Sequence, residues 1–134
     1  MCGWSGFGVE EPLAVARFQI VAVTSKRDTS DATGFRWRFL SANNRNMARS
    51  VPTFADPDTC LEAIRELRDK LPTVVGTTVQ NGSGKWLWRI SAEKLDLAMS
   101  GIRYERRLRA RLACQAFVDQ VATASADAVQ VVWF

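Results

Sequence analysis

Two stretches of this chain repeat one alternation of rings and charged or aliphatic side chains. In residues 34–54, Phe35, Trp37 and Phe39 alternate with Arg36 and Arg38; in residues 84–104, Trp86, Trp88 and Ile90 alternate with Leu87 and Arg89. Successive side chains of an extended strand point to opposite faces, so each stretch predicts a half-buried strand with rings inward and arginines outward. The next strand aligns Met47-Ala48-Arg49-Ser50 with Leu97-Ala98-Met99-Ser100, and the turn before it is one residue shorter in the second stretch. Asn43-Asn44 tolerates the positive φ of a tight hairpin, whereas Glu93-Lys94 is a poorer turn by residue type. Upstream, Ala16, Phe18, Ile20 and Ala22 alternate with Arg17, Gln19 and Val21, and residues 74–79 lead into the turn Asn81-Gly82-Ser83-Gly84.

Helical spacing follows each strand set. Cys60, Ala63, Ile64, Leu67 and Leu71 form one apolar stripe, opened by Asp56-Pro57-Asp58 as cap and first turn. Cys114, Phe117, Val118 and Val121 match the first four of those positions. On that alignment the cysteines coincide, and the second copy has four extra residues before its helix, within residues 103–111. The pattern predicts an α+β fold of two tandem β-β-β-α units, each an antiparallel sheet packed by one helix. A C-terminal strand is added. The expected divisions are an N-terminal arm (1–15), a first repeat (16–72), a second repeat (73–123) and the C-terminal strand (124–134). Residues 129–134 are so apolar that they are expected to cover a sheet edge.

At these residues the chain resembles the DUF1508 family of YegP-like proteins. Gly34, Phe35, Arg36, Trp37, Arg38, Phe39, Asn43, Ser50 and Phe54 fit its pattern in the first copy. Gly84, Trp86, Trp88, Arg89, Ile90, Ser100 and Tyr104 fit it in the second, and the departures are Asn44 and Lys94, where the family has glycine, and residues 103–111. The resemblance spans residues 16–121. It implies tandem βββα units with a helix on one face of the strands, and dimers for single-copy members; it implies no activity and transfers no site residue.

Composition adds few constraints. The chain has 134 residues, 47% apolar and 24% charged, which suits a globular domain needing neither disulfide nor metal to fold. No apolar run approaches a membrane span, and the N-terminus lacks a basic region followed by an apolar core, so a cytoplasmic protein with reduced thiols and no membrane partner is expected. The absence of histidine removes the commonest general base, the usual triads and most zinc sites. Cys2, Cys60 and Cys114 are too dispersed for a ligand cluster. Cys2 follows Met1 as in N-terminal-nucleophile amidotransferases, but the chain is too short for their sandwich domain. Residues 81–85 (NGSGK) faintly resemble a phosphate loop, yet a strand follows where that motif needs a helix. The carboxylate pairs Glu10-Glu11, Asp56/Asp58 and Glu62/Glu66 read as arm, cap and exposed helix face. No catalytic residue, cofactor or metal site is expected.

A non-enzymatic interaction or structural module is therefore the leading expectation, with a protein partner or a second copy bound through the apolar termini Trp4, Phe7, Trp133 and Phe134. The alternative is nucleic acid or another polyanion. Arg103, Arg106, Arg107, Arg109 and Arg111 lie within nine residues of one another, and Arg36, Arg38 and Arg89 project from outward strand faces. If the two sets converge, their planar guanidinium forks form a surface suited to phosphate. The bland reading of the same run is a solvated helix face balanced by Glu105 and Asp119. Trp37, Trp86 and Trp88 share the inward side with Phe and Ile, which reads as core rather than as a base-stacking platform.

Overall fold

The computed structural model describes residues 15–24, 33–71, 74–124 and 129–132. Cys2, Trp4, Phe7, Trp133 and Phe134 lie outside the described residues. The elements in chain order are β1 (Arg17–Thr24), β2 (Thr33–Leu40), β3 (Asn46–Ser50), α1 (Pro57–Lys70), β4 (Val75–Gln80), β5 (Trp86–Ala92), β6 (Leu95–Ser100), α2 (Arg107–Thr123) and β7 (Val129–Val132).

The fold is α+β, but the expectation of two units, each with its own sheet, is overturned. The strands form one seven-stranded mixed sheet in the order β4-β5-β6-β3-β2-β1-β7. Left separate, β3 and β6 would each end a three-stranded sheet with unpaired backbone groups. They pair antiparallel instead, setting Ala48 against Ser100, Arg49 against Met99 and Ser50 against Ala98. The inward residues at this junction are small: Ala48, Ser50, Ala98 and Ser100 are all buried. At the far edge β7 runs parallel to β1, with Phe18 opposite Val129 and Val21 opposite Val132.

The core is also shared. The Phe117 ring from α2 lies 5.1 Å from Trp88 in β5, but also 5.3 Å from Phe39 and 6.3 Å from Trp37 in β2. Phe18 meets Trp37 and Phe39 edge-on. These rings, with Cys60, Ile64 and Leu67 of α1, form one hydrophobic cluster that holds both helices on one face, as the ring parity of the strands requires. Buried serines tie the strands at matching places: the Trp37 N–H donates to Ser50 Oγ at 3.3 Å, and the Trp88 N–H to Ser100 Oγ at 3.4 Å. Phe54 and Tyr104 bridge back to Phe35 and Trp86 through paired backbone bonds.

A second correction concerns the helices. β3 ends at Ser50 and α1 starts at Pro57; β6 ends at Ser100 and α2 starts at Arg107. The intervening loops are equally long, so residues 103–111 contain no insertion. Buried positions are Cys60, Ile64, Leu67 and Leu71 after the first strand set, and Ala110, Cys114, Phe117 and Val121 after the second. Cys114 thus corresponds to Ile64, and the sequence alignment was one helical turn out of frame. The extra length lies inside α2, which has 17 residues against 14 in α1.

The turns account for the lost residue. Ala42, Asn43 and Asn44 form a three-residue hairpin loop with Asn44 at φ 65°, closed by bonds between Ser41 and Arg45 and between Asn44 and Ser41. Glu93 and Lys94 adopt φ 52° and 68° in a two-residue loop between Ala92 and Leu95. Two positive φ values are what a primed hairpin turn demands, and here non-glycine residues meet that demand. Residues 81–85 also make a hairpin: the Asn81 carboxamide accepts from the Ser83 and Lys85 N–H groups, and Gly84 takes φ 85°. Register shifts in the β2–β3 and β5–β6 ladders turn Met47 and Leu97 toward the core.

Candidate anion-binding face of the sheet

Both helices cover the ring-bearing face, and among the described residues no element packs on the opposite one. Cross-strand partners share a face, so the registers define what lies there. One row of directly opposed residues crosses all seven strands: Thr77, Arg89, Met99, Arg49, Arg38, Gln19 and Gln130. Arg36 lies two residues from Arg38 on the same side, opposite Val21.

Hydrogen bonds hold part of this row in place. Arg38 Nε donates to Gln19 Oε1 at 2.9 Å, and Gln19 Nε2 donates to Gln130 Oε1 at 2.9 Å. Arg89 pairs with Asp96 at 3.5 Å, and Asp96 also accepts from Ser91 Oγ at 2.6 Å. Asp96 is the one carboxylate found against the row among the described residues. Arg49 has only a long bond from Nη1 to the Ser50 carbonyl, and Arg36 Nε is buried with no hydrogen-bond partner. Arg49 directly opposes Arg38, and its pKa is pushed down, first by burial and then by the Arg36 charge. Opposed like charges cost a sheet stability, about half a kcal/mol per pair. Nothing described in the protein neutralises Arg36, Arg38 or Arg49, so an anion is the group that would relieve them.

A cavity of about 330 Å³ opens beside the row, lined by Arg49, Leu87, Met99, Ser100, Gly101, Ile102 and Arg103. Arg103 thereby joins Arg36, Arg38 and Arg89 on the open side. Arg106, Arg107, Arg109 and Arg111 do not. They belong to the start of α2, in the helix layer on the other face of the sheet, so of the arginine run named from the sequence only Arg103 meets the strand arginines. Arg107 Nε donates to Thr78 Oγ1 at 3.1 Å, and its guanidinium lies 6.0 Å from the Trp86 ring centre, within cation–π range. The carboxylates expected to balance this run are engaged elsewhere: Glu105 pairs with Lys85, and Asp119 accepts from Gln115.

Arg49 is the member of the face that sequence reasoning missed. Its parity was readable, because Ala48 and Ser50 flank it and both point inward, but a lone arginine in a five-residue strand gives no alternation of its own. The remaining chemistry is inert. Burial pushes the Cys60 thiol up to about 12 and the Cys114 thiol up to about 11, so neither is a ready nucleophile. Among the described residues no cluster of metal-ligating side chains occurs, and no helix is long and apolar enough to cross a membrane.

Comparison with known proteins places the fold and leaves the chemistry open. The chain is similar to the solution NMR structure of yegP from E. coli, a protein of unknown function, with a TM-score of 0.65 and 15% identity over 94% of this chain and 97% of that one. It is also similar to the NMR structure of a UPF0339 protein from Shewanella oneidensis, with a TM-score of 0.62 and 9% identity over 87% of this chain and 92% of the other. No family model and no curated protein matches the sequence. At these identities the likeness establishes a common fold.

Proposed function

We propose that this protein is a non-enzymatic interaction module that holds an extended polyanion, most naturally a single-stranded nucleic acid, on the open face of its sheet. The observation that carries this reading is the uncompensated group Arg36, Arg38 and Arg49, extended by Arg89 along one row. Stacking aromatics are absent from that row, so recognition runs through phosphates and is indifferent to base sequence. The shared fold and the two buried serines support placing the chain with the YegP-like DUF1508 proteins, and the buried free thiols suit a reducing compartment such as the cytoplasm.

Fluorescence anisotropy with a labelled single-stranded oligonucleotide tests the reading. Four arginine–phosphate contacts predict a log–log salt slope of about −3. Arg38→Glu with Arg49→Glu removes two charge-assisted contacts and should weaken binding about a hundredfold or more. Absence of binding at low salt refutes the proposal. Loss of binding on changing Arg106, Arg107 and Arg109 to Glu instead moves the site to α2.

A further inference from the structure

The cavity beside the arginine row differs in chemistry from the row itself. Arg49 and Arg103 line it together with three apolar side chains, Leu87 of β5, Met99 of β6 and Ile102 of the loop that follows. Met99 directly opposes Arg49 across the joint of β3 with β6, and Leu87 opposes Val79 on the same open face. Ile102 is 48% exposed, and Leu87 and Met99 are only half-buried, so an apolar corner adjoins the cationic row.

The internal repeat assigns this corner to one unit alone. Phe54 and Tyr104 make equivalent bridges, to Phe35 and Trp86, which sets Pro52 and Thr53 against Ile102 and Arg103. In the strands, Arg36 and Arg49 of the first unit correspond to Leu87 and Met99 of the second. The first unit is thus cationic where the second is apolar, and the joint of β3 with β6 places Arg49 of one beside Met99 of the other. Arg103 adds a cation that the first unit lacks at Thr53. The acid in its own loop, Glu105, is engaged by Lys85.

We infer that this cavity seats a phosphate monoester carrying a flat, largely apolar ring: a nucleoside monophosphate, either free or at the end of a strand. The seat rests for its phosphate chemistry on the polyanion reading proposed for the row, and adds the place where one nucleotide leaves that row. A monoester carries close to two negative charges at neutral pH against one for an internal diester, and the guanidinium forks of Arg49 and Arg103 match that charge. The base lies against Leu87, Met99 and Ile102, since a nucleobase out of its stack is held by apolar as well as aromatic side chains. A volume of about 330 Å³ falls in the range of small-molecule sites, more room than a bare phosphate fills. The apolar wall is short, enough to cover a ring but not an acyl chain. Such a wall discriminates no base, so the seat selects for the terminal phosphate and not for sequence.

Heteronuclear NMR on the full chain, with adenosine monophosphate titrated to about 10 mM, tests the inference. Shifts should centre on Leu87, Met99, Ile102 and Arg103, and adenosine and inorganic phosphate should each bind at least about tenfold more weakly. Arg103→Ala should weaken the nucleotide about tenfold or more, and Ile102→Ser about fivefold while leaving inorganic phosphate unchanged. Both side chains are exposed, so neither change threatens the fold. Oligonucleotides with a 5′-phosphate, a 3′-phosphate or neither identify the source. A terminal phosphate that strengthens binding, with the gain lost in Arg103→Ala, makes strand ends the occupant; equal binding of all three makes it the free nucleotide. Nucleotide shifts outside the cavity, affinity no better than that of adenosine or phosphate, or an Arg103→Ala variant that binds as well as its parent overturns the inference and leaves the polyanion reading standing. Nucleotide seated in the cavity with no strand bound at low salt supports the seat and refutes the extended polyanion.

Discussion

Replacing Gly76 with alanine sets two effects of opposite sign against each other. Gly76 sits in β4 opposite Ile90, with φ outside the left-handed region. Alanine restricts the unfolded chain and on that account should stabilise the protein by about 0.4–1 kcal/mol. The added Cβ, however, would stand 2.8 Å from Cys114 Sγ, closer than any normal contact, and 3.9 Å from the Arg89 carbonyl. The thiol is held on α2 and can yield only by leaving its rotamer for the groove of about 360 Å³ that Gly76 and Cys114 both line. Overpacking of this kind costs about 1–3 kcal/mol, so the clash wins and Gly76→Ala should destabilise by about 1–2 kcal/mol. Cys114→Ala removes the obstructing atom and alone costs roughly 1 kcal/mol of lost burial. In that background Gly76→Ala should become neutral or slightly stabilising. Urea unfolding followed by tryptophan fluorescence reads the cycle, because Trp37 and Trp88 are buried and report on the shared core. Additivity of the two changes within about 0.5 kcal/mol would refute the close approach of α2 to the sheet at this point.

Two further outcomes are expected. α1 is capped by Asp56, whose carboxylate accepts from the Thr59 N–H at 2.7 Å, whereas Arg106 caps α2 with no side-chain bond and no acid in the first turn. Arg106→Asp should therefore stabilise by about 1 kcal/mol and raise Tm by about 4 °C, and an unchanged or lowered Tm in calorimetry would contradict this. Cys60 and Cys114 should resist a thiol reagent at pH 8 until the protein unfolds, and mass spectrometry would contradict this by finding native labelling at the unfolded rate. Because burial raises both pKa values, their contribution to stability is complete below the unfolded value near 9 and declines as pH rises toward 11 and 12.

The inward and outward sides of the strands were legible in the sequence because Phe35, Trp37 and Phe39 alternate strictly with arginines, and parity needs no long-range information. The joining of β3 to β6 was not. It depends on contacts between residues some fifty positions apart, made by Ala48, Ser50, Ala98 and Ser100, whose small side chains carry no hydrophobic signal. The helix frame failed for a related reason. Cysteine matched to cysteine is a conspicuous alignment, but the buried position equivalent to Cys60 is held by Ala110, which looks neutral in a run of arginines. Of the face, Arg36, Arg38 and Arg89 came from parity, while Arg49, readable only from its flanking Ala48 and Ser50, took its meaning from Arg38 across the sheet.

The parallel pairing of β7 with β1 joins residues more than a hundred positions apart, as the Gln19–Gln130 bond illustrates. On a ribosome, β1 is made early and its flank stays open while everything up to residue 132 is added. Closure of that flank waits for residues 129–132, and a product terminated before them carries Phe18 and Ile20 beside a bare strand edge. For this fold, an unfinished chain is marked by the edge it leaves bare.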